Sequence, residues 1–250
     1  MYQVNLSDTK NRRVIEKKGN ITVFEYDHDM SVDPATAMAA YYASKMNVRR
    51  RQVMFELDGS KDVVVQSGSM QWMAGNLKAA TNIKGVGDFA KKLVGSKVTG
   101  ESAIKPRYTG SGILMLEPTY RYLLLEDVGK WGGMVIDDGL FLACEASVDI
   151  KTVARKSFSS AVAGGEGLFN SCLVGNGYAV LESRVPREEL VEVELKDDVL
   201  KVDGNFVIAW SRSLDFTVER STKTLIGSAA SGEGLVNVYR GTGKVLMAPL

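Results

Sequence analysis

The sequence has few of the residues on which catalytic and metal centres usually depend. Its 250 residues include one histidine and two cysteines, and 31 Lys and Arg nearly balance 30 Asp and Glu. One imidazole leaves little material for hydrolase schemes that use histidine as base or metal ligand, and no G-x-S-x-G motif is present. The net charge of +1 gives no overall attraction to nucleic acid or anionic lipid. These absences predict a protein without enzymatic activity, cofactor or bound metal.

Long hydrophobic runs are also missing. No apolar stretch approaches the roughly 20 residues of a membrane-spanning helix, and Met1 to Arg13 is polar and charged, unlike a signal peptide. Because no export signal is evident, Cys144 and Cys172 are predicted to be free buried thiols rather than a disulfide. We therefore expect a cytoplasmic protein with no transmembrane segment.

A glycine-rich pattern, in contrast, occurs three times. Two close copies, at 165–182 and 232–247, each read Gly-Glu-Gly-Leu, then Gly-x-Gly, then an apolar run, and a weaker copy begins at residue 100. The second glycine of each Gly-x-Gly lies at Gly112, Gly177 and Gly243, which gives spacings of 65 and 66 residues. A second landmark, a glycine between two apolar positions, repeats in phase at Gly68, Gly139 and Gly204. Two landmarks in register predict an internal triplication.

The repeats predict how the chain is organised. Residues 47–250 are predicted to form a triplicated β domain, with units at about 47–119, 120–184 and 185–250. Three similar units that each leave one apolar face open can bury those faces against one another. We therefore predict an all-β sandwich or barrel with a pseudo-threefold arrangement. Residues 1–46 lie outside the repeats and are predicted to be an added element that packs on them.

Short alternating segments between glycine turns carry the prediction of an all-β fold. The predicted strands are 53–57, 63–65, 122–126, 133–136, 140–144, 190–195, 206–210 and 214–218. A hairpin is predicted over 14–26, and a helix over Ala35–Met46, with Asp33 as cap and Pro34 at its first position. A short loop helix is predicted between Asp88 and Gly95.

The repeated glutamates Glu101, Glu166 and Glu233 are the most distinctive polar residues. If the units close around a pseudo-threefold axis, the three carboxylates would occupy equivalent places, where they could ring an opening or bind a cation together. The other interpretation is a turn in which each carboxylate accepts backbone N–H bonds. The turn interpretation is favoured, and Gly112, Gly177 and Gly243 are likewise predicted to be structural turn glycines.

Four other features have a chemical and a structural interpretation. Gly85 to Ala90 matches a dinucleotide fingerprint but lacks the alternating strands and helices that this chemistry needs, so a capped loop helix is favoured. His28 lies among carboxylates but is one imidazole alone, which favours a surface position. The cluster Arg49-Arg50-Arg51 could contact phosphate, although a solvated strand start is favoured. Trp72, Trp131 and Trp210 are predicted to be packing residues.

The two close copies of the repeat, with Ala209-Trp210-Ser211 between them, resemble the family of altered inheritance of mitochondria protein 24. The resemblance covers about residues 50–250. It implies an all-β fold like that of the trp RNA-binding attenuation protein, with repeats in a pseudo-threefold body. Mitochondrial members are linked to inner-membrane organisation, whereas bacterial members have no agreed biochemical activity, so the resemblance assigns no catalytic residue. Residues 1–46 depart from the family pattern.

Three functional hypotheses follow. The favoured one is a non-catalytic binding or scaffold protein that self-associates as a homo-oligomer, through exposed sheet edges or faces, and has an unknown protein partner. The second, based on the implied fold and on residues 49–51, is a nucleic-acid-binding protein, which the near-neutral charge disfavours. The third is a small-molecule or metal-dependent enzyme built on a β-sandwich.

Overall fold

A computed structural model describes residues 2–6, 9–81, 105–154, 169–220 and 235–249. Within these ranges the chain forms sixteen strands, one α-helix and two short 3₁₀ turns, at Val128–Trp131 and Arg187–Glu189. The α-helix is α1 (Ala37–Lys45). The strands are β1 (Arg12–Lys18), β2 (Ile21–Tyr26), β3 (Arg51–Asp58), β4 (Val63–Val65), β5 (Met70–Ala80), β6 (Arg107–Leu116), β7 (Tyr122–Asp127), β8 (Met134–Ile136), β9 (Phe141–Glu145), β10 (Val148–Ala154), β11 (Phe169–Gly175), β12 (Tyr178–Ser183), β13 (Val191–Asp203), β14 (Val207–Ser211), β15 (Asp215–Arg220) and β16 (Leu235–Met247).

The strands form two curled antiparallel sheets, which confirms the predicted all-β fold. The first sheet has the order β1-β2-β3-β6-β4-β9-β12-β7, with β5 also paired to β6. The second has the order β10-β11-β8-β14-β16-β13, with β15 also paired to β16. Strands from the middle of the chain therefore belong to both sheets.

The predicted repeat units at about 47–119 and 185–250 each contain one long strand with which the other strands of the unit pair, and the middle unit has two shorter strands in that role. In the first segment β3, β4 and β5 all pair with β6, and in the last β13, β14 and β15 all pair with β16. In the middle segment this long strand is divided into β11 and β12, which pair with β8 and β10 and with β7 and β9, respectively. The triplication and its pseudo-threefold axis stay predictions.

The second glycines of the Gly-x-Gly pairs lie close to neighbouring atoms, which are backbone atoms at Gly112 and side-chain atoms at Gly177 and Gly243. A Cβ on Gly112 would lie 2.1 Å from the carbonyl oxygen of Ala74, and one on Gly243 would lie 2.7 Å from Cβ of Ser211. Gly112 and Gly243 lie inside β6 and β16, so the prediction of turns is wrong at these two positions. Gly177 does lie in a bend, between β11 and β12. Glycine is required at Gly112, where a Cβ would meet backbone, whereas at Gly177 the nearest atoms are the ends of the Ser147 and Glu145 side chains, which can move.

A contiguous apolar core joins the two sheets. Leu124 and Leu181 of the first sheet and Ile136 and Leu246 of the second belong to one buried cluster, in which no member is more than 9% exposed. Full burial of such a side chain contributes roughly 1.5–3 kcal/mol. Trp131 belongs to the same cluster, as predicted for a packing residue. Two further clusters fill the space over each sheet separately.

The N-terminal hairpin is part of the first sheet. The predicted hairpin is confirmed as β1 and β2, and β2 pairs in register with β3 from Ile21↔Phe55 to Glu25↔Arg51. The helix is shorter than predicted and begins at Ala37. The side chain of Asp33 accepts the backbone N–H bonds of Ala35 and Thr36 in the turn that precedes it. The division of the chain at residue 46 stays a prediction. The predicted loop helix between 88 and 95 lies outside the described residues.

Candidate functional site

A buried ion pair lies where the N-terminal hairpin meets β3. Arg51 and Glu25 are 2% and 5% exposed, and their register pairing places the two side chains side by side. Nη2 and Nε of Arg51 lie 2.7 Å and 2.9 Å from Oε2 of Glu25. The guanidinium of Arg51 also stacks 4.1 Å from the ring centroid of Tyr122. The interpretation of Arg51 as a solvated strand start is therefore wrong.

Further arginines and carboxylates surround this pair, and we call the whole set the N-terminal junction; its members are Arg13, Glu25, Asp27, Asp29, Arg49, Arg50, Arg51 and Tyr120. Arg49 lies 2.7 Å from Asp27, and Arg50 lies 3.4 Å from Asp29. Tyr120, from the segment before β7, donates a 2.5 Å hydrogen bond to Asp29. The arginines at 49–51 are therefore matched by carboxylates from the hairpin end.

The electrostatics of the junction favour the charged forms of Glu25 and Asp29. Burial raises the pKa of Glu25, but the hydrogen bond from Arg13 and the charges of Arg51 and Arg49 outweigh it, so the pKa lies below its ordinary value. The hydrogen bond from Tyr120 lowers the pKa of Asp29, and the same bond raises the pKa of Tyr120. Glu25 and Asp29 are therefore both negatively charged at neutral pH.

A groove of about 450 Å³ separates α1 from the junction. Its body side includes Tyr26 and the junction residues at 27, 29, 49, 50 and 120, and its helix side is made of small side chains such as Ala40, Ala43 and Ser44. The hydroxyl of Ser44 donates a hydrogen bond to the carbonyl of Asp27, which ties the helix to the end of β2. This groove has the volume of a small-molecule site.

The opposite face of α1 carries large apolar side chains that no part of the described chain covers. Met38, Tyr42 and Met46 are 72%, 62% and 76% exposed, and Tyr41 is 52% exposed. No residue of the helix is buried. Tyr41 and Tyr42 contact each other edge to face, with ring centroids 5.5 Å apart. We call Met38, Tyr41 and Tyr42, together with Met46, the residue that directly follows the helix, the outer face of α1.

A second groove of about 460 Å³ lies at the C-terminal end of β12. Its lining includes Arg121, Asp137, Asp138, Glu182 and Arg184, so charges of both signs meet there. No group of three or more His, Cys, Asp or Glu side chains among the described residues has an arrangement that could hold a metal ion.

Two buried carboxylates outside the junction are hydrogen-bonded within the fold. Glu126 accepts from Nε1 of Trp131 at 3.0 Å and from Arg187 at 2.8 Å. Burial raises its pKa, and the charge of Arg187 and the bond from Trp131 offset this only in part. Glu145 accepts from Lys61 and from the backbone N–H of Tyr178. These contacts fix neighbouring segments to one another.

The residues singled out in the sequence have different outcomes. Glu101, Glu166 and Glu233 all lie outside the described residues, so their convergence stays a prediction. His28 is exposed on the surface, as predicted, and its backbone pairs with the side chain of Asn11. Cys144 and Cys172 are free and buried, as predicted.

Two curled sheets joined by one core, with an N-terminal helix beside a charged junction, define an all-β protein with an accessory helix. The family model described as mitochondrial biogenesis AIM24 matches residues 42–250, and the chain belongs to that family. The resemblance inferred from the repeats is thereby confirmed. Because the match begins at residue 42, the hairpin β1–β2 and all three junction carboxylates lie outside the matched region.

Two relatives come from Streptococcus pyogenes. An uncharacterized protein of serotype M6 is 30% identical over 206 residues, which is 79% of this chain and 81% of that protein. A crystal structure of a protein from this species matches with a TM-score of 0.58 and 27% sequence identity, over 81% of this chain and 88% of the other. Both relatives share the fold along most of their length. No helix within the described ranges is long and apolar enough to cross a membrane.

Sequence reasoning missed the outer face of α1 and the pairing of the carboxylates Asp27 and Asp29 with Arg49 and Arg50. A signal for the outer face was present, because Met38, Tyr42 and Met46 recur every four residues and so share one face of a helix. The alanines lie between them, on the other face. No comparable signal existed for Asp27 and Asp29, because their arginine partners are about 20 residues away in the sequence.

Proposed function

We propose that this protein is a non-catalytic binding or scaffold protein that self-associates. The observation that carries the proposal is the outer face of α1, where two methionines and two tyrosines are each more than half exposed. A contiguous exposed apolar patch is typical of a protein interaction site. Methionine and tyrosine are also enriched in interface cores, whereas lysine and glutamate are depleted there.

The junction supports a structural role for the arginines rather than a role in phosphate binding. Arg49 and Arg51 each contact Glu25, and Arg50 faces Asp29. Phosphate binding depends on cationic groups that neutralise the nucleic-acid backbone. Since these guanidinium groups are matched by carboxylates, the nucleic-acid alternative receives no support from the cluster that suggested it.

The buried carboxylates outside the junction support the non-catalytic part of the proposal. Glu126 and Glu145 are held by Arg187 and Lys61 and by N–H donors of the fold. Glu126 and Glu145 therefore each have a structural role, and the proposal assigns neither of them a catalytic role.

Native mass spectrometry of the untagged protein purified from its own cells tests the proposal. We expect a homo-oligomer, in equilibrium with monomer as the protein is diluted, and proteins rather than small molecules among any retained partners. A stoichiometric small molecule that the protein converts in a turnover assay would refute the non-catalytic assignment. A monomer at every concentration would refute self-association.

A further inference from the structure

The helix α1 has two faces of opposite character. The small side chains of Ala40, Ala43 and Ser44 face the groove, and the large ones of Met38 and Tyr42 face solvent. An ordinary amphipathic helix does the reverse and buries its large apolar side chains against its own body. The sequence of α1 therefore suits a helix that packs its outer face against a different molecule.

The helix also receives little support from its own chain. It has nine residues, none of them buried, and isolated helices shorter than about 12–15 residues are marginal in water. Its described tethers are the hydrogen bond from Ser44 to Asp27 and the turn around Asp33. Covering the outer face would add apolar burial that the monomer does not provide.

We propose that a second copy of this chain covers the outer face, with the two α1 helices packed antiparallel about a twofold axis at Tyr42. This inference rests on the proposed self-association and names its contact. Met38, Tyr42 and Met46 are spaced symmetrically, four residues on either side of Tyr42. A twofold contact requires a surface that is complementary to itself. The antiparallel arrangement places Met38 against Met46 of the partner subunit and the two Tyr42 side chains against each other.

The area of the outer face is sufficient for a specific but weak dimer. Its four side chains are between 52% and 76% exposed, which amounts to on the order of 500 Å² for each copy. Two copies would bury roughly 1,000 Å², the lower limit for a specific interface. We therefore expect a dissociation constant in the micromolar range, as for other interfaces at the small end of the range.

The charges near the outer face are compatible with a homodimer. Lys45 is the one charged residue of the helix, and its ammonium lies over the ring of Tyr41, 5.2 Å from the centroid. In the antiparallel arrangement the two Lys45 residues are three positions from the axis on opposite sides, roughly 9 Å apart along the helices. At physiological salt this is about one screening length, so their repulsion is small.

Charge substitutions at Tyr42 test the contact and its symmetry. The experiment measures association by sedimentation velocity over roughly 1–200 μM for the wild type, Tyr42→Glu, Tyr42→Lys and an equimolar mixture of the two variants. Each variant alone places like charges at the axis, and we expect it to raise the dissociation constant about a hundredfold or more. The mixture places Glu against Lys and is expected to recover to within about tenfold of the wild type. Val199→Glu, at an exposed position of the edge strand β13, is the matched control and is expected to change nothing.

The outcomes separate this inference from the proposal on which it rests. Association that survives in both Tyr42 variants, or a mixture that does not recover, would overturn the α1 contact. Loss of association in Val199→Glu alone would place the interface at a sheet edge, so that self-association stands and the α1 contact falls. A wild type that remains monomeric over the whole range would overturn both.

Cysteine cross-linking provides an independent measurement. The native Cys144 and Cys172 are 0% and 1% exposed, so an introduced surface cysteine is the reactive thiol. With an added oxidant that accepts the two thiol electrons, such as oxygen with a copper catalyst, Tyr42→Cys is expected to form an intermolecular disulfide in high yield because the two residues face each other at the axis. Ala37→Cys, at the first residue of the helix, should not, since five residues on each side of the axis place its two copies roughly 15 Å apart along the helices. Equal yields at the two positions would contradict the antiparallel register.

Discussion

Replacing Glu25 with glutamine should destabilise the protein far more than the same replacement of an exposed glutamate that also pairs with an arginine. Glu25 is 5% exposed and accepts from Arg51 at 2.7 Å and 2.9 Å, from Arg13 at 2.8 Å and from Arg49 at 3.2 Å. Glutamine keeps the volume but removes the charge, and Arg51 is left as an uncompensated buried cation. Breaking a buried pair in this way costs about 3–5 kcal/mol.

The matched control is Glu219→Gln. Glu219 makes the same kind of pair with Arg240, at 2.6 Å, but both side chains are more than one third exposed. An exposed pair contributes about 0–1 kcal/mol. Arg51→Met is the reciprocal variant and should cost less than Glu25→Gln, because Glu25 keeps Arg13 and Arg49 as partners.

Equilibrium unfolding in urea, followed by tryptophan fluorescence, measures these differences. With an m-value of roughly 3 kcal/mol/M, Glu25→Gln should lower the urea midpoint by about 1–2 M. Trp131 and Trp210 are buried and will report the transition. A Glu25→Gln midpoint no lower than that of Glu219→Gln would refute the assignment of Glu25 as the counterion of a buried cation.

The pH dependence identifies the cause of the loss. Because the pKa of Glu25 is lowered in the folded protein, its contribution is present above the unfolded carboxyl pKa of about 4.3 and is lost as the pH falls through the folded pKa. The difference between wild type and Glu25→Gln should therefore be constant near neutral pH and shrink in acid. A difference that persists undiminished at about pH 2 would indicate a packing defect instead of a charge effect.

Three further outcomes follow from the structure. Gly112→Ala would place Cβ 2.1 Å from the Ala74 carbonyl oxygen and should lower the free energy of unfolding by at least about 3 kcal/mol, whereas Gly19→Ala, at φ +56° with no atom within 4 Å, should cost about 1–2 kcal/mol in the same urea titration. Burial raises the pKa of Glu126, so its contribution to the free energy of unfolding is present below about pH 4.3 and is lost as the pH rises through the folded pKa. Glu126→Gln should therefore lower the free energy of unfolding by no more than about 1 kcal/mol at pH 7. A loss comparable to that of Glu25→Gln would contradict this. Burial raises the pKa of Cys144 to about 12, so a thiol reagent at pH 8 should modify it only after denaturation, and rapid labelling of the native protein would show that the thiol is accessible.

Local sequence patterns predicted ten of the sixteen described strands, and β5, β6, β10, β11, β12 and β16 were not predicted as strands. The alternation at 190–195 and the apolar run at 206–210 both correspond to observed strands, although β13 continues to Asp203. Turn residues set many of the boundaries, as at Asp58, whose side chain accepts from Ser60. These features depend on neighbours within a few residues, and a single sequence contains that information.

The junction could not be predicted in the same way. Arg51 is buried only because Glu25, on another strand, supplies the opposite charge at the paired position. A run of three arginines in isolation predicts a solvated segment, and the partner is visible only once β2 and β3 are paired. The helix was recognised by its composition, but which of its faces meets the body depends on the position of the hairpin end.

The course of the middle segment through both sheets determines how this chain can be divided. Its strands β7, β9 and β12 lie in the first sheet, and β8, β10 and β11 lie in the second. A cut after residue 184 would complete the first sheet but separate β8 from β14, its partner at Ile136↔Ala209. Neither half could therefore be expressed alone with the hydrogen bonds between its strands intact. A new element can be added without breaking such bonds only at a sheet edge, and the N-terminal hairpin lies at such an edge.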